Sequence, residues 1–217
     1  MNRYYLTVYL HSDTTFGRGE GVAGLVDVEI EHDQRGCPFL GGRALKGLLR
    51  ESWEDIRFSL SGDASRWYAS AEWLLGKIGA TDDGIAAMHV GSAMLPPELI
   101  AQLDLSRERT LEALTTIRRQ TAMDASTDAP EQGSLRAMRV LLRDTPLLAT
   151  LDFDTPPDAQ ALALLAACAL GVRRGGTLRN RGRGRMSLLL HATMPIDYNQ
   201  ATFTYDQFAR FASGVRT

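Results

Sequence analysis

Gly171-Val-Arg-Arg-Gly-Gly-Thr-Leu-Arg-Asn-Arg-Gly-Arg-Gly-Arg-Met186 brings six arginines and five glycines together without one acidic residue. Glycine lets backbone N–H groups approach phosphate oxygens closely, and each guanidinium offers a planar fork of donors that matches a phosphate bidentately. The stretch reads as a loop that wraps a polyanion. Its flanks give it a place in a fold: Pro156–Val172 is an apolar, alanine-rich helix with an N-terminal proline, and Met186–Ala192 is a strand.

Working outward, Tyr4, Leu6, Val8 and Leu10 alternate with Tyr5, Thr7, Tyr9 and His11, the period of a strand over 3–11 with one buried face. A glycine-rich loop, Phe16–Gly24, follows. Leu25–His32 alternates again, with Val26, Val28 and Ile30 on one face and Asp27, Glu29 and Glu31 on the other, so a second strand with a polar, half-exposed side is expected. Asp33–Pro38 reads as a turn and Phe39-Leu40 as the return arm of a hairpin. Leu45, Leu48, Leu49, Trp53 and Ile56 keep helical spacing over 42–58, and a second helix runs over 64–75.

After the Gly76–Gly84 break, Ala86–Met94 reads as a strand, Pro97–Leu103 as a short helix and Asp104–Arg119 as a longer one. Gln120–Ser134 sustains no period and reads as an exposed excursion. Leu135–Leu142 and Leu147–Phe153 are expected to pair as a hairpin, and a short helix is expected around Tyr205–Phe211. With the insertions set aside, the order is βαββαβ. This is an α+β, ferredoxin-like or RRM-type arrangement, whose sheet presents one open face to single-stranded RNA.

The 217 residues suffice for one domain with a real core, and the net charge of −2 excludes a protein that coats nucleic acid indiscriminately. Positive charge must therefore be local. Lys46 and Lys77 are the only lysines; every other basic residue is arginine. Cys37 and Cys168 form neither a zinc pattern nor a disulfide framework, and the N-terminus has no signal-peptide pattern, so a cytoplasmic protein without a membrane partner is expected.

Gly19-Glu-Gly-Val-Ala-Gly24 matches a dinucleotide fingerprint but is followed by strand alternation rather than a helix, which argues against a nicotinamide or flavin site. Gly41-Gly-Arg-Ala-Leu-Lys-Gly47 opens a helix whose Arg43, Lys46 and Arg50 share one face beside a positive N-terminus, an arrangement that attracts phosphate. Asp27 follows the first glycine-rich loop, where a carboxylate could bind Mg²⁺ or assist attack by a 2′-hydroxyl. His11, His32, His89 and His191 have no ligand spacing.

Taken in order, Phe16-Gly-Arg-Gly19, Leu25–Asp33, Cys37-Pro-Phe-Leu-Gly-Gly-Arg-Ala-Leu-Lys-Gly47, Thr121–Leu135 and the late arginine-glycine loop resemble the RAMP superfamily. Within it they are most similar to the backbone subunits of type III CRISPR effector complexes of the Csm/Cmr kind. The resemblance covers nearly the whole chain as a single RAMP domain over 1–217, with a thumb at about 120–134 and the glycine-rich loop at about 173–185. Where many backbone subunits carry a histidine just before the first loop's glycine, this chain has Thr14-Thr15-Phe16-Gly17.

The resemblance implies a subunit that stacks with copies of itself along a CRISPR RNA beside other effector subunits. It implies cleavage of complementary target RNA at regular intervals, with Asp27 as the catalytic residue. A divalent metal, Mg²⁺ or another, is implied at the same aspartate. Guide binding falls to Arg18, Arg43, Lys46, Arg50, Arg118, Arg119, Arg173, Arg174, Arg179, Arg181, Arg183 and Arg185, and the thumb to Met123, Asp124, Ser126 and Thr127. The alternative is a RAMP subunit that caps or lengthens the filament without chemistry of its own. A guide-processing endoribonuclease would want a histidine or tyrosine at the scissile phosphate, and no spacing nominates one.

Overall fold

The computed structural model describes residues 2–60, 64–77, 85–103, 106–121, 123–124, 126–131 and 133–215. Four strands build the central sheet: β1 (Asn2–Leu10), β2 (Met88–Val90), β7 (Pro146–Phe153) and β8 (Met186–His191), in the spatial order β2-β7-β1-β8 with every neighbouring pair antiparallel. Alternation drives it. Leu6, Val8 and Leu10 turn inward, as do Leu147, Ala149, Leu151 and Phe153 across β7 and Met186, Leu188 and Leu190 across β8.

Helices α1 (Gly42–Ser59), α2 (Ser65–Leu75) and α5 (Ala159–Gly171) carry the complementary apolar surface, through Leu45, Leu49, Trp53, Leu74, Leu164 and Ala167. In α5, alanines allow close packing against α1, α2 and α6 (Thr202–Val215). Its N-cap is Asp158, whose carboxylate accepts from Ala161 N–H at 2.7 Å. The C-terminal helix is longer than the short one expected. It also protects the edge of β8, because Thr204 Oγ1 accepts from Leu190 N–H at 2.8 Å and donates to Leu190 C=O at 2.9 Å. The strands β1, β2, β7, β8 and helices α1 and α5 follow the expected βαββαβ order in a mixed α+β fold.

Three expectations need correction. Leu25–His32 is no regular strand. It runs as an extended ribbon held by isolated bridges, Gly17 to Ile30, Val22 to Val26 and His32 to Pro38, plus a parallel bridge from Val28 to Met138. The ribbon is wedged between the first loop and an excursion, so both edges are used in short pieces.

The segment expected to be helical over 104–119 divides into α4 (Arg107–Leu114) and β3 (Thr115–Gln120); residues 104 and 105 lie outside those described. The β-branched run Thr115-Thr116-Ile117 favours a pleated surface over a helix. Between β2 and α4 lies the short helix α3 (Pro97–Gln102).

The expected hairpin of 135–142 with 147–153 does not form. Instead β6 (Arg136–Leu141) pairs with β3, from Thr115 opposite Leu141 to Gln120 opposite Arg136, while β7 joins the central sheet. The pair β3–β6 is the stem of the thumb-like excursion. Its tip is a short hairpin, β4 (Met123–Asp124) with β5 (Ala129–Pro130). Positions 122, 125 and 132 of the expected thumb lie outside the described residues, as do 78–84 of the break after α2.

Candidate nucleic-acid interface

Two glycine-rich loops and the thumb stem meet at one place. At the entry to the first loop, Thr14 bridges Leu141 of β6, and Thr15 Oγ1 donates to Arg139 C=O at 3.0 Å. In the late loop, Thr177 N–H donates to Thr15 C=O at 3.0 Å, and Arg185 N–H donates to Ser12 Oγ at 2.9 Å. The late loop is therefore pinned rather than free. It closes on itself through an Arg174–Arg185 bridge and the bond from Gly175 N–H to Gly184 C=O at 2.9 Å, with one 3-10 turn at Arg179–Arg181.

Asp27 sits on the ribbon against β6. Its N–H donates to Ala137 C=O at 2.8 Å, and Ala137 N–H donates back to Asp27 Oδ2 at 2.7 Å. The residue is exposed, and one carboxylate oxygen is occupied by this backbone bond. Gly21 makes the approach possible: a Cβ there would lie 2.3 Å from Val26 O and 2.6 Å from Asp27 O. No larger residue fits without moving the ribbon.

Of the two other acids expected on a half-exposed polar face, Glu29 departs from it and Glu31 remains half-buried. Glu29 is buried, and its Oε1 accepts from Arg139 Nε at 2.8 Å and from Ile30 N–H at 2.9 Å. Glu31 Oε2 accepts from Gly41 N–H at 3.2 Å, at the start of α1. The helix N-terminus expected to attract phosphate is thus already served by a carboxylate, with Ser92 Oγ accepting from Gly42 N–H at 3.3 Å.

The cations of α1 do not form one free strip either. Arg43 is exposed, but Lys46 Nζ donates to Met88 C=O at 3.4 Å, and its pKa is lowered, first by burial and then by Arg50. Arg50 caps α2, donating to the carbonyls of Leu75 and, at 2.9 Å, Gly76. These bonds satisfy orphan carbonyls of a helix end.

In the late loop, Arg179 pairs with Glu51 at 2.8 Å, which raises its pKa, and Arg174 donates to Arg179 C=O at 2.7 Å. Arg183 lies on Met138 Sδ. Arg173, Arg181 and Arg185 are exposed, and their guanidinium groups make no hydrogen bond or ion pair with any described residue. Elsewhere Arg18 faces Glu20 at 3.6 Å and Arg118 grips Asp13 at 2.7 Å, while Arg119 is exposed on the thumb stem. Met123, Ser126 and Thr127 are exposed at the thumb tip; Asp124 pairs with Ala129 through its backbone, and its side chain lies outside the described residues.

Between thumb and late loop lies a cleft of about 430 Å³, lined by Gln120, Thr121, Arg136, Leu178 and Arg181 among others. Arg139 is the residue the sequence reading missed. An arginine inside Met138-Arg139-Val140-Leu141 is a guanidinium in an apolar run, which needs a buried acceptor, and Glu29 is that acceptor. Among the described residues no three His, Cys, Asp or Glu side chains cluster as metal ligands, and no helix is long and apolar enough to cross a membrane.

Solved structures share this architecture. A chain of the type III-B Cmr-beta complex in its apo state superposes with a TM-score of 0.65 at 12% identity, over 87% of this chain and 96% of that one. The chain of the same complex bound to cognate target RNA gives 0.63 at 12% identity over the same shares. A chain of a type IV-B CRISPR complex gives 0.58 at 14%, over 95% of this chain and 99% of the other. The fold is that of these CRISPR-complex subunits. No family model and no curated protein matches the sequence.

Proposed function

We propose that the chain is a backbone subunit of a type III CRISPR effector complex that binds CRISPR RNA, stacks with copies of itself and other effector subunits, and cleaves guide-complementary RNA at regular intervals. One observation carries the reading. Adjacent residues of β6, Ala137 and Met138, meet the Asp27 carboxylate of the extended ribbon and the Arg183 guanidinium of the late glycine-rich loop. A backbone drawn across the late loop by Arg181 and Arg183 would pass beside that carboxylate at the root of the thumb.

The chain's contribution is positional. Arginines hold phosphates, the thumb kinks the guide–target duplex, and the strand is bent so that a 2′-hydroxyl lines up with the phosphorus it attacks. Asp27, exposed and with only Oδ2 used by the Ala137 N–H, is the residue that would hold a divalent ion such as Mg²⁺, through a single carboxylate. When bound, such an ion would offset the charge that develops on the attacked phosphate.

The test is Asp27→Asn in the complex assembled with guide and complementary RNA. The amide oxygen still accepts from Ala137 N–H, so the ribbon keeps its place while the charge is lost. Cleavage is expected to fall by roughly a hundredfold or more with RNA binding retained. Cleavage at the original rate overturns the catalytic assignment. That result would favour a purely architectural subunit, which the use of Asp27 Oδ2 as a backbone acceptor already suits.

A further inference from the structure

A second concave surface lies behind the late loop, where the edge of β8 meets α6. It is a cleft of about 520 Å³, and its lining includes His11, Arg173, Arg185, Ser187, Tyr205 and Phe208. None of its lining residues is acidic. Arg173 and Arg185 have no side-chain partner among the described residues, and His11 is held upright by Ser187 Oγ at 2.9 Å. Tyr205 and Phe208, one helical turn apart on α6, are 57% and 38% exposed, so both rings offer a face to the cleft beside the arginines. Phe208 is backed by Phe211 at 6.3 Å between ring centroids, and Phe211 by Trp67 at 4.6 Å, so its ring is preorganised.

The strand edge is closed to an added peptide strand. Outward-facing backbone groups of β8 belong to every second residue. Met186 N–H is taken by Arg173 C=O at 3.0 Å, and Leu190 N–H and C=O are both taken by Thr204 Oγ1. Leu188, opposite Val8 in the same register, lies between them and is fully buried, so its peptide group is not offered to the cleft. The blocked positions on either side leave no length for an added peptide strand, which needs several consecutive ladder bonds.

We propose that the cleft binds one nucleotide of single-stranded RNA, its base against Tyr205 and Phe208 and its phosphate on Arg173 and Arg185. Bases stack on aromatic side chains with little sequence preference, and arginine supplies phosphate contact. The inference rests on the RNA-binding reading above but not on Asp27, and it adds a base-holding station on the far side of the loop.

The test is fluorescence anisotropy of a labelled single-stranded RNA on the full chain across a salt series. Tyr205→Ala/Phe208→Ala should weaken binding by roughly tenfold or more and leave the salt slope unchanged, because a ring neutralises no phosphate. Tyr205→Phe should restore affinity on the Phe208 background. Arg173→Ala/Arg185→Ala should instead reduce the slope. Competition by adenosine monophosphate at lower concentration than by a tetranucleotide would identify a free nucleotide as occupant; the reverse order identifies a strand. Unchanged affinity in the double aromatic variant, or displacement of the RNA by an acidic peptide with no effect of that variant, overturns the cleft and leaves the RNA-binding reading standing. Absence of any salt-dependent RNA binding by the wild-type chain overturns both.

Discussion

Glu29 and Arg139 form an ion pair of 2.8 Å whose side chains are 3% and 9% exposed, and it ties together four segments that converge on the thumb root. Arg139 Nη1 also donates to Thr115 Oγ1 of β3 at 3.3 Å, and Arg139 C=O accepts from Thr15. Removing one partner leaves the other charged and dry. Arg139→Met is expected to cost about 3–5 kcal/mol in urea unfolding, and Glu29→Leu/Arg139→Met to recover most of that loss. A single variant within about 1 kcal/mol of wild type would show that the pair is solvated in solution.

The salt dependence of RNA binding separates arginines that meet phosphate from those already engaged. Replacing Arg173, Arg181 and Arg185 together by alanine is expected to lower the slope of log K against log salt by roughly 2, from about 0.7 per phosphate contact. Arg50→Ala should leave the slope alone while destabilising the end of α2, since its guanidinium serves the carbonyls of Leu75 and Gly76. A slope that falls for Arg50 and not for the triple variant would reverse these roles.

Late-loop shape depends on left-handed glycines with different surroundings. Gly184 has φ +72°, and a Cβ there would meet Gly175 O at 2.0 Å, whereas Gly182, at φ +78°, has nothing within 4 Å. Gly182→Ala should cost only the backbone strain of about 1–2 kcal/mol. Gly184→Ala should open the loop, seen as faster tryptic cleavage after Arg173, Arg174 and the later arginines. Equal protease resistance in the two variants would mean that the Gly175–Gly184 closure is not maintained.

His191 is buried beside Thr7, with Nε2 2.9 Å from Thr7 Oγ1, and burial lowers its pKa against a smaller opposing effect of Asp197. The unfolded chain therefore takes up a proton more readily than the folded one. The contribution of His191 is full above the ordinary histidine value of about 6.5 and is lost as pH falls from there toward the lower folded value. His191→Gln should flatten the fall in stability across that window in urea titrations at stepped pH. An unchanged pH slope would place the acid sensitivity elsewhere.

Periodicity alone determined the alternating strands around Leu6, Leu151 and Leu188, the helices over Gly42–Ser59 and Ala159–Gly171, and the arginine-glycine loop between the last helix and the last strand. Those features are local: apolar spacing states which face is buried whatever it is buried against. Only the tertiary structure decided that β6 pairs with β3 rather than β7, and that the alternating ribbon at Leu25–His32 stays irregular. It alone separated three acids of identical spacing into a buried ion pair at Glu29, a helix-start acceptor at Glu31 and an exposed carboxylate at Asp27. Partners distant in the chain, Arg139, Gly41 and Ala137, make that difference, because a charge's role is set by what neutralises or accepts it in space and not by its neighbours in sequence.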